Sequence, residues 1–322
     1  MKNKKPAIEQ IQEYLKKYNP LGMSGAVVTL VNQHNHLIYR LEKDGEIYCL
    51  RMINPESYRA GEWLHIAEEY TILKYLENTG LAPKAFYCDP ERFSPALMIQ
   101  EFIADATCFR ELKPLSEKYL VGATEAIVLL NSCDITPEKF PFREGHTRYS
   151  YLTSVGTWCR RLADMKKSEN KDVLRWAVQV EDVVSRAEQV LEKFEVLLQK
   201  APFSLNFDGA HCGNTYWRDE KVIFLDWQKV SYGDPAFTLA RFLTDTGESG
   251  AINQSDKEIM VKTYLERREI PNFAQLVDQR LFERQVADFI WVIWDYVRRK
   301  DTQPVEQATS VVKRYELVEQ LL

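Results

Sequence analysis

Short runs of alternating apolar and polar residues fill much of the first hundred positions, and stretches with apolar residues three and four apart fill most of the rest. Val27 to Val31, Leu37 to Leu41 and Ile47 to Met52 read as three strands, with Asp44-Gly45 as the hairpin turn between the second and third. Over 62–78 the period changes. Ile66, Tyr70, Leu73 and Leu76 fall near helical spacing, and Gly80 ends the run. A further strand is expected over 97–103, LMIQEFI. Beyond Asp105 the pattern turns helical, over 116–132, 150–166, 173–199, 256–267, 276–299 and 303–321. One stretch interrupts it, 214–227, which reads as an isolated pair of strands. The pattern predicts an α+β chain with a small strand-rich part, 1–104, and a larger helical part, 105–322, that includes the strand pair.

Composition adds boundaries to this picture. The 322 residues are 45% hydrophobic and 28% charged, enough apolar material for a sizeable core. A net charge of -5 argues against nucleic acid as the main partner. The six cysteines, Cys49, Cys88, Cys108, Cys133, Cys159 and Cys212, form no C-x-x-C pair and are irregularly spaced. Free thiols in a reducing cytoplasm fit this better than a disulfide framework or a zinc site. The basic start, MKNKKPAIEQ, is followed by no apolar signal region, and no run approaches the about 18 apolar residues of a membrane span. A cytoplasmic location with no membrane partner is therefore expected.

The chemistry concentrates in the strand pair, NTYWRDEKVIFLDW, 214–227. With Asp219-Glu220 as a two-residue turn, Arg218 faces Lys221, Trp217 faces Val222, Tyr216 faces Ile223 and Thr215 faces Phe224. Asn214 then lies opposite Leu225, beside Asp226, and directly paired residues are about 5 Å apart. One amide oxygen and one carboxylate converge at the open end of the hairpin. Hard oxygen ligands, few in number and completed by phosphate oxygens, are what magnesium uses in nucleotide sites.

The flanks of this hairpin resemble those of the aminoglycoside phosphotransferase and choline kinase family, whose fold is the bilobal one of protein kinases. HCGN at 211–214 resembles the family's H-P-G-N, FLDW at 224–227 its metal segment, and YGDPAFTLARF at 232–242 the Y-G-D-P-x-x-D-L-A that follows. The resemblance implies Mg-ATP binding, with Asn214 and Asp226 as ligands of Mg2+. EIYCLRM at 46–52 is similar to the strand carrying the phosphate-pairing lysine, with Arg51 in its place. Its partner would be Glu69, with Glu68 as the rival. The loop 32–36, NQHNH, takes the phosphate-loop position without a glycine. Asn35 matches a family asparagine there, and His34 and His36 read as exposed turn residues. MIQEFIA at 98–104 resembles the hinge, whose backbone around Glu101 and Ile103 would hold adenine.

The catalytic loop departs from the family pattern. The family reads H-G-D-x-x-x-x-N, whereas this chain reads NFDGAHCGN over 206–214. The position five before Asn214 is Gly209, and Asp208 stands one further back. Either a local bulge lets Asp208 reach the substrate hydroxyl as base, or the chain is a pseudokinase that holds nucleotide without transfer. His211 is a possible substitute base, and Cys212 stands where proline is usual.

RQVADFIWVIWDYVRR over 284–299 bears on the acceptor. Trp291 and Trp294 share a helix face, with Asp288 and Asp295 on related turns. The stretch resembles the W-x-x-W helix of choline and ethanolamine kinases, and indole faces attract amines. Core packing explains the same spacing equally well. Asp245 and Glu248 read as cleft or solvated-loop residues, and Arg298, Arg299 and Lys300 as helix C-terminal charges. The reading favoured is an ATP-dependent O-phosphotransferase acting on a small molecule, an amino alcohol or aminoglycoside-like acceptor. Phosphorylation of a protein or peptide hydroxyl is the other alternative, and no A-P-E signature supports it.

Overall fold

The computed structural model describes residues 5–33, 35–56, 64–142, 147–148, 150–247, 251–299, 305 and 309–322. In chain order the elements begin with α1 (Ile8–Tyr18), β1 (Val27–Gln33), β2 (His36–Lys43), β3 (Glu46–Ile53), α2 (Ile66–Leu76), β4 (Ala85–Asp89), β5 (Leu97–Glu101) and β6 (Thr107–Cys108). They continue with α3 (Glu117–Asn131), β7 (Thr147–Arg148), α4 (Leu152–Met165), α5 (Lys171–Glu192), α6 (Glu195–Lys200), β8 (Ser204–Phe207), β9 (Thr215–Arg218), β10 (Lys221–Phe224) and β11 (Val230–Gly233). Four helices close the chain: α7 (Ala236–Leu243), α8 (Gln254–Arg267), α9 (Phe273–Arg299) and α10 (Thr309–Leu321). The chain divides into two units, Met1–Phe109 with Asn214–Val230, and Arg110–Gly213 with Ser231–Leu322. The hairpin, expected in the helical part, belongs to the first unit.

The first unit is built on an antiparallel sheet of order β1-β2-β3-β5-β4. Asp44 and Gly45, both at positive φ, make its tight turn. Because side chains alternate along a strand, Leu37, Tyr39, Leu41, Leu50 and Met52 share a core with Ile11, Tyr14 and Leu15 of α1. Arg51, between Leu50 and Met52, takes the opposite direction and is buried all the same. On α2, Ile66, Ile72, Leu73 and Leu76 form the buried stripe, and Glu69 lies within it.

A second sheet, β10-β9-β6, carries the hairpin. Its register pairs Arg218 with Lys221, Trp217 with Val222, Tyr216 with Ile223 and Thr215 with Phe224. Asp219 and Glu220 both adopt left-handed φ, the geometry a two-residue turn needs to match strand twist. The pair is not isolated, because β6 adds a third strand alongside β9.

The second unit is helical around α9, whose 27 residues pack against α4, α5, α7 and α10. A small sheet, β7-β11-β8, completes it. Beneath lies a buried ion-pair chain. Asp234 receives Arg280 Nε at 2.8 Å and Nη2 at 2.5 Å, and Arg280 also pairs with Glu283. A buried guanidinium between two carboxylates has its donors met, which is the condition for tolerating it.

Some elements escaped the periodic reading. α1 adds a second helix to the first hundred residues, and β4, β8, β11 and α7 are short elements that the periodic pattern did not mark. The helix expected over 173–199 is two, α5 and α6, separated at Lys193 and Phe194. Residues 62–63 of the helix expected over 62–78, residues 303–304 and 306–308 of the one expected over 303–321, and His34, Glu248 and Lys300 lie outside the described residues. No described helix is long and apolar enough to cross a membrane.

Candidate active site

In the first unit, Arg51 is the centre of a buried charge cluster. Its Nε sits 3.1 Å from Glu69, which is 2% exposed, and its Nη2 donates to Asp226 Oδ1. Glu68 acts elsewhere, since its carboxylate accepts the His65 N–H at 2.5 Å and so caps α2. Trp227 N–H donates to Glu69 as well, tying α2 to the segment after β10. Burial works against the Arg51 cation, but the two carboxylates outweigh it and hold it firmly protonated. Two carboxylates share that cation. Burial first, with the charge of Asp226 adding to it, pushes Glu69 above the usual carboxylate range despite Arg51.

His36 completes the cluster, and here the reading of an exposed turn residue is corrected. Its ring is 4% exposed, with Nε2 3.2 Å from Arg51 Nη2 and Nδ1 3.5 Å from Asp226 Oδ1. Register explains it. Ile38 pairs with Arg51, so His36, two residues back on β2, faces the same side. Burial and then the Arg51 charge push the imidazole down to about 3, with Asp226 opposing. The neutral ring accepts from Arg51 through Nε2 and turns its Nδ1–H toward Asp226.

Asp226 has left-handed backbone, φ 69°, a conformation open to aspartate more readily than to most other side chains. Gln228 Nε2 donates to its Oδ2 at 3.0 Å. Across the hairpin end, Leu225 N–H donates to Asn214 C=O at 2.9 Å, which carries the ladder one step beyond Thr215 and Phe224. Asn214 and Asp226 thus flank the open end of one hairpin. Among the described residues there is no group of three or more His, Cys, Asp or Glu placed to hold a metal. One amide and one carboxylate oxygen fit a magnesium ion that takes the rest of its shell from phosphate and water. A carboxylate oxygen has two lone pairs, so the bonds to Arg51 and Gln228 leave Asp226 room for a cation.

Of the hinge residues, Glu101 pairs through its side chain with Arg218 at 2.9 Å, and its N–H donates to Lys84 C=O at 2.8 Å. Ile103 is half-buried just beyond β5. Asn35 is exposed, and its C=O accepts the Asn54 N–H at 3.1 Å.

In the second unit, Asp208 follows β8 and accepts the Ser231 hydroxyl of β11. Asn206 and Phe207, one of which stands where the family has histidine, are both fully buried. For Asn206 the partners are polar. Its Nδ2 donates to Asp234 C=O at 3.0 Å, and its Oδ1 accepts the Thr238 hydroxyl at 2.8 Å. The loop is braced downstream. Asp245 accepts the Cys212 N–H at 2.7 Å, and His211 Nδ1 accepts the Gly213 N–H at 3.1 Å. A Cβ on Gly213 would overlap Arg110 Nη2, so this position requires glycine or a displaced Arg110. Periodicity alone did not expose Asp234, Arg280 or Asp245's loop contact.

Trp291 and Trp294 share a face, with ring centroids 5.2 Å apart. The guanidinium of Arg161 lies over both, at 4.9 and 5.3 Å, and Trp294 donates to Asp164 at 3.1 Å. Asp295 is buried and pairs with Arg298 at 2.6 Å and with Arg299. An arginine of the chain itself thus occupies the face expected to meet an amine.

The sequence model of the phosphotransferase enzyme family matches residues 28–269, which spans β1 to α8 and every metal and phosphate candidate above. The chain belongs to that family. A search of curated proteins found no match. Among solved structures, a choline/ethanolamine kinase family protein from Mesorhizobium loti superposes with a TM-score of 0.68 at 16% identity, covering 98% of this chain and 94% of its own. Plasmodium vivax ethanolamine kinase gives 0.67 at 12% identity over 94% and 84%. A thermostable aminoglycoside phosphotransferase mutant, solved with ADP and hygromycin B, gives 0.62 at 12% over 96% and 97%. These likenesses place the chain in the kinase-like α+β fold of this phosphotransferase family.

Proposed function

We propose that this protein transfers the γ-phosphoryl group of ATP, as its magnesium complex, to a hydroxyl of a small molecule in the cytoplasm. The observation that carries the reading is the arrangement at the hairpin end. Asn214 and Asp226 flank it, and Arg51, held by Glu69 and His36, reaches the same carboxylate. Asn214 and Asp226 would hold Mg2+, which when bound neutralises phosphate charge. Arg51 would turn from Asp226 to the phosphates while Glu69 keeps its orientation. The strand-rich part, with the Glu101–Ile103 backbone and Asn35, would hold the nucleotide, and the helical part the acceptor. Asp208 would accept the hydroxyl proton, its carboxylate oriented by Ser231.

Amino alcohols and aminoglycoside-like molecules are the first acceptors to try, since the similar structures are choline or ethanolamine kinases and aminoglycoside phosphotransferases. For a cationic acceptor to use Trp291 and Trp294, Arg161 must move aside or the amine must bind next to it. ADP release with choline, ethanolamine and aminoglycosides tests the acceptor class, alongside calorimetry of Mg-nucleotide binding. Turnover on none of them, with nucleotide bound, excludes these acceptors. Absence of Mg-nucleotide binding excludes the whole reading.

A second reading has one specific observation in its favour, the position of Asp208 one residue before the family's aspartate. On that reading the protein binds nucleotide and transfers nothing. Wild-type turnover that Asp208→Ala abolishes decides for the enzyme.

A further inference from the structure

The second unit holds charges that the roles above leave unused. Arg241 lies in the last turn of α7, which packs on α9. Around it stand Arg284 and Asp288 of α9, Asp245 just after α7, and Asp208. Burial, and then the charge of Arg284, bring the Arg241 guanidinium down to about 10, with the three carboxylates opposing. It remains a cation at neutral pH and gains from any anion that reaches it.

The nearby carboxylates have other partners. Asp288 bridges Arg284 at 2.5 Å and Arg314 of α10 at 3.8 Å. Asp245 takes the Cys212 N–H at 2.7 Å, and Asp208 takes the Ser231 hydroxyl. Among the described residues the Arg241 guanidinium has no hydrogen bond or ion pair of its own. The Nε atoms of Arg284 and Arg314 are buried without an acceptor. Two buried guanidinium nitrogens thus lack acceptors in the cluster that holds Arg241 and the aspartate that would take the substrate proton. An oxyanion supplies acceptor lone pairs and negative charge together.

We propose that Arg241 and Arg284 form a subsite for an oxyanion of the acceptor, a carboxylate or phosphate on the same small molecule whose hydroxyl approaches Asp208. This rests on the phosphotransferase reading and narrows it to a hydroxylated anion or zwitterion. In the transfer, the bond from the γ-phosphorus to the ADP oxygen breaks as a bond to the acceptor oxygen forms. The hydroxyl proton passes to Asp208, and the acceptor's own oxyanion does not react.

Matched probes isolate the anion: ethanolamine against serine, and glycerol against glycerate and glycerol 3-phosphate. Each is titrated into the full chain saturated with Mg-AMP-PNP, so that phosphate contacts of the nucleotide are already filled. The expected result is at least about tenfold tighter binding of an anion-bearing member than of its partner. Arg241→Gln should abolish that preference and Arg241→Lys keep part of it. Glycerate and glycerol 3-phosphate tell carboxylate from phosphate. If Arg241→Gln does not fold, Arg284→Gln is read in the same way. Normal Mg-AMP-PNP binding with no anion preference, or a preference that survives in a folded glutamine variant, overturns the subsite alone. Failure of Mg-AMP-PNP to bind overturns the phosphotransferase reading beneath it.

Discussion

Replacing Arg51 by methionine removes the cation that Glu69 and Asp226 share, while keeping a long apolar stem between Leu50 and Met52. Glu69 is 2% exposed, and it would be left facing a second carboxylate. Removing one partner of a buried ion pair costs about 3–5 kcal/mol, because the other charge stays uncompensated. Two features place this case near the lower end. The Asp226 side chain is 25% exposed and can regain water, and Glu69 is already pushed upward by burial and escapes part of the penalty by binding a proton. A loss of about 3 kcal/mol is expected. Arg51→Lys keeps the charge but not the fork that reaches Glu69 and Asp226 together, and should lose about 1–2 kcal/mol.

Urea unfolding of the full chain, followed by tryptophan fluorescence and far-ultraviolet dichroism, measures both losses. The earliest transition that the substitution shifts is the one compared, since the chain has two units. Adding Glu69→Leu to Arg51→Met should recover much of the loss, because the stranded carboxylate goes with it. Arg51→Met within about 1 kcal/mol of wild type, or a double variant whose losses simply add, would refute the reasoning.

Three further outcomes follow from the same geometry. His36 is pushed down to about 3 when folded and titrates near 6.5 when unfolded, so between those values the unfolded chain binds more protons. Its contribution is a stability that falls as pH drops from about 6.5 toward 3, by up to about 1.4 kcal/mol per unit, and His36→Gln should flatten that slope; identical slopes in both proteins remove His36 from the account. Asp208→Asn should lower kcat by about 10²–10⁴ with little change in Mg-nucleotide affinity by calorimetry, and an unchanged kcat shows that Asp208 is not the base. Asp226→Asn should weaken nucleotide binding in the presence of Mg2+ by about tenfold or more and far less in its absence; equal losses with and without metal mean that Asp226 does not hold it.

Regular periodicity made the long helices and the hairpins legible. The register of β9 and β10 could be written down because a two-residue turn leaves a single pairing, and Asp219 and Glu220 adopt the left-handed backbone that turn requires. α1 was legible in principle, since Ile11, Tyr14 and Leu15 fall three and four apart with Glu9, Glu13, Lys16 and Lys17 on the opposite face, but the stripe spans only about two turns. β8 alternates polar and apolar residues, Ser204-Leu205-Asn206-Phe207, but over only four positions, too short a run to stand out, and all four are buried. The break between α5 and α6 falls at Lys193-Phe194, where no glycine or proline marks it.

The site was legible where a charge interrupts an apolar pattern. Glu69 lies on the stripe of Ile66, Leu73 and Leu76, and Glu68 does not, so helix geometry alone distinguishes the paired carboxylate from the capping one. Arg51 stands in a strand whose neighbours Cys49, Leu50 and Met52 are all buried. Arg280 stands in the same way between Val277 and Leu281 on α9. A buried charge survives only with a partner, so each such position announces that one exists. It does not say which. Asp226 is 175 residues from Arg51, and Asp234 is 46 from Arg280, distances across which no local pattern carries. His36 shows the converse. Its polar neighbours made it resemble a turn, and only its place two residues from Ile38, opposite Arg51, brings it inside. Arg241 extends the rule to a charge on an otherwise apolar helix whose partner is not found among the described residues of its own chain, and that is why a ligand is the natural place to look for it.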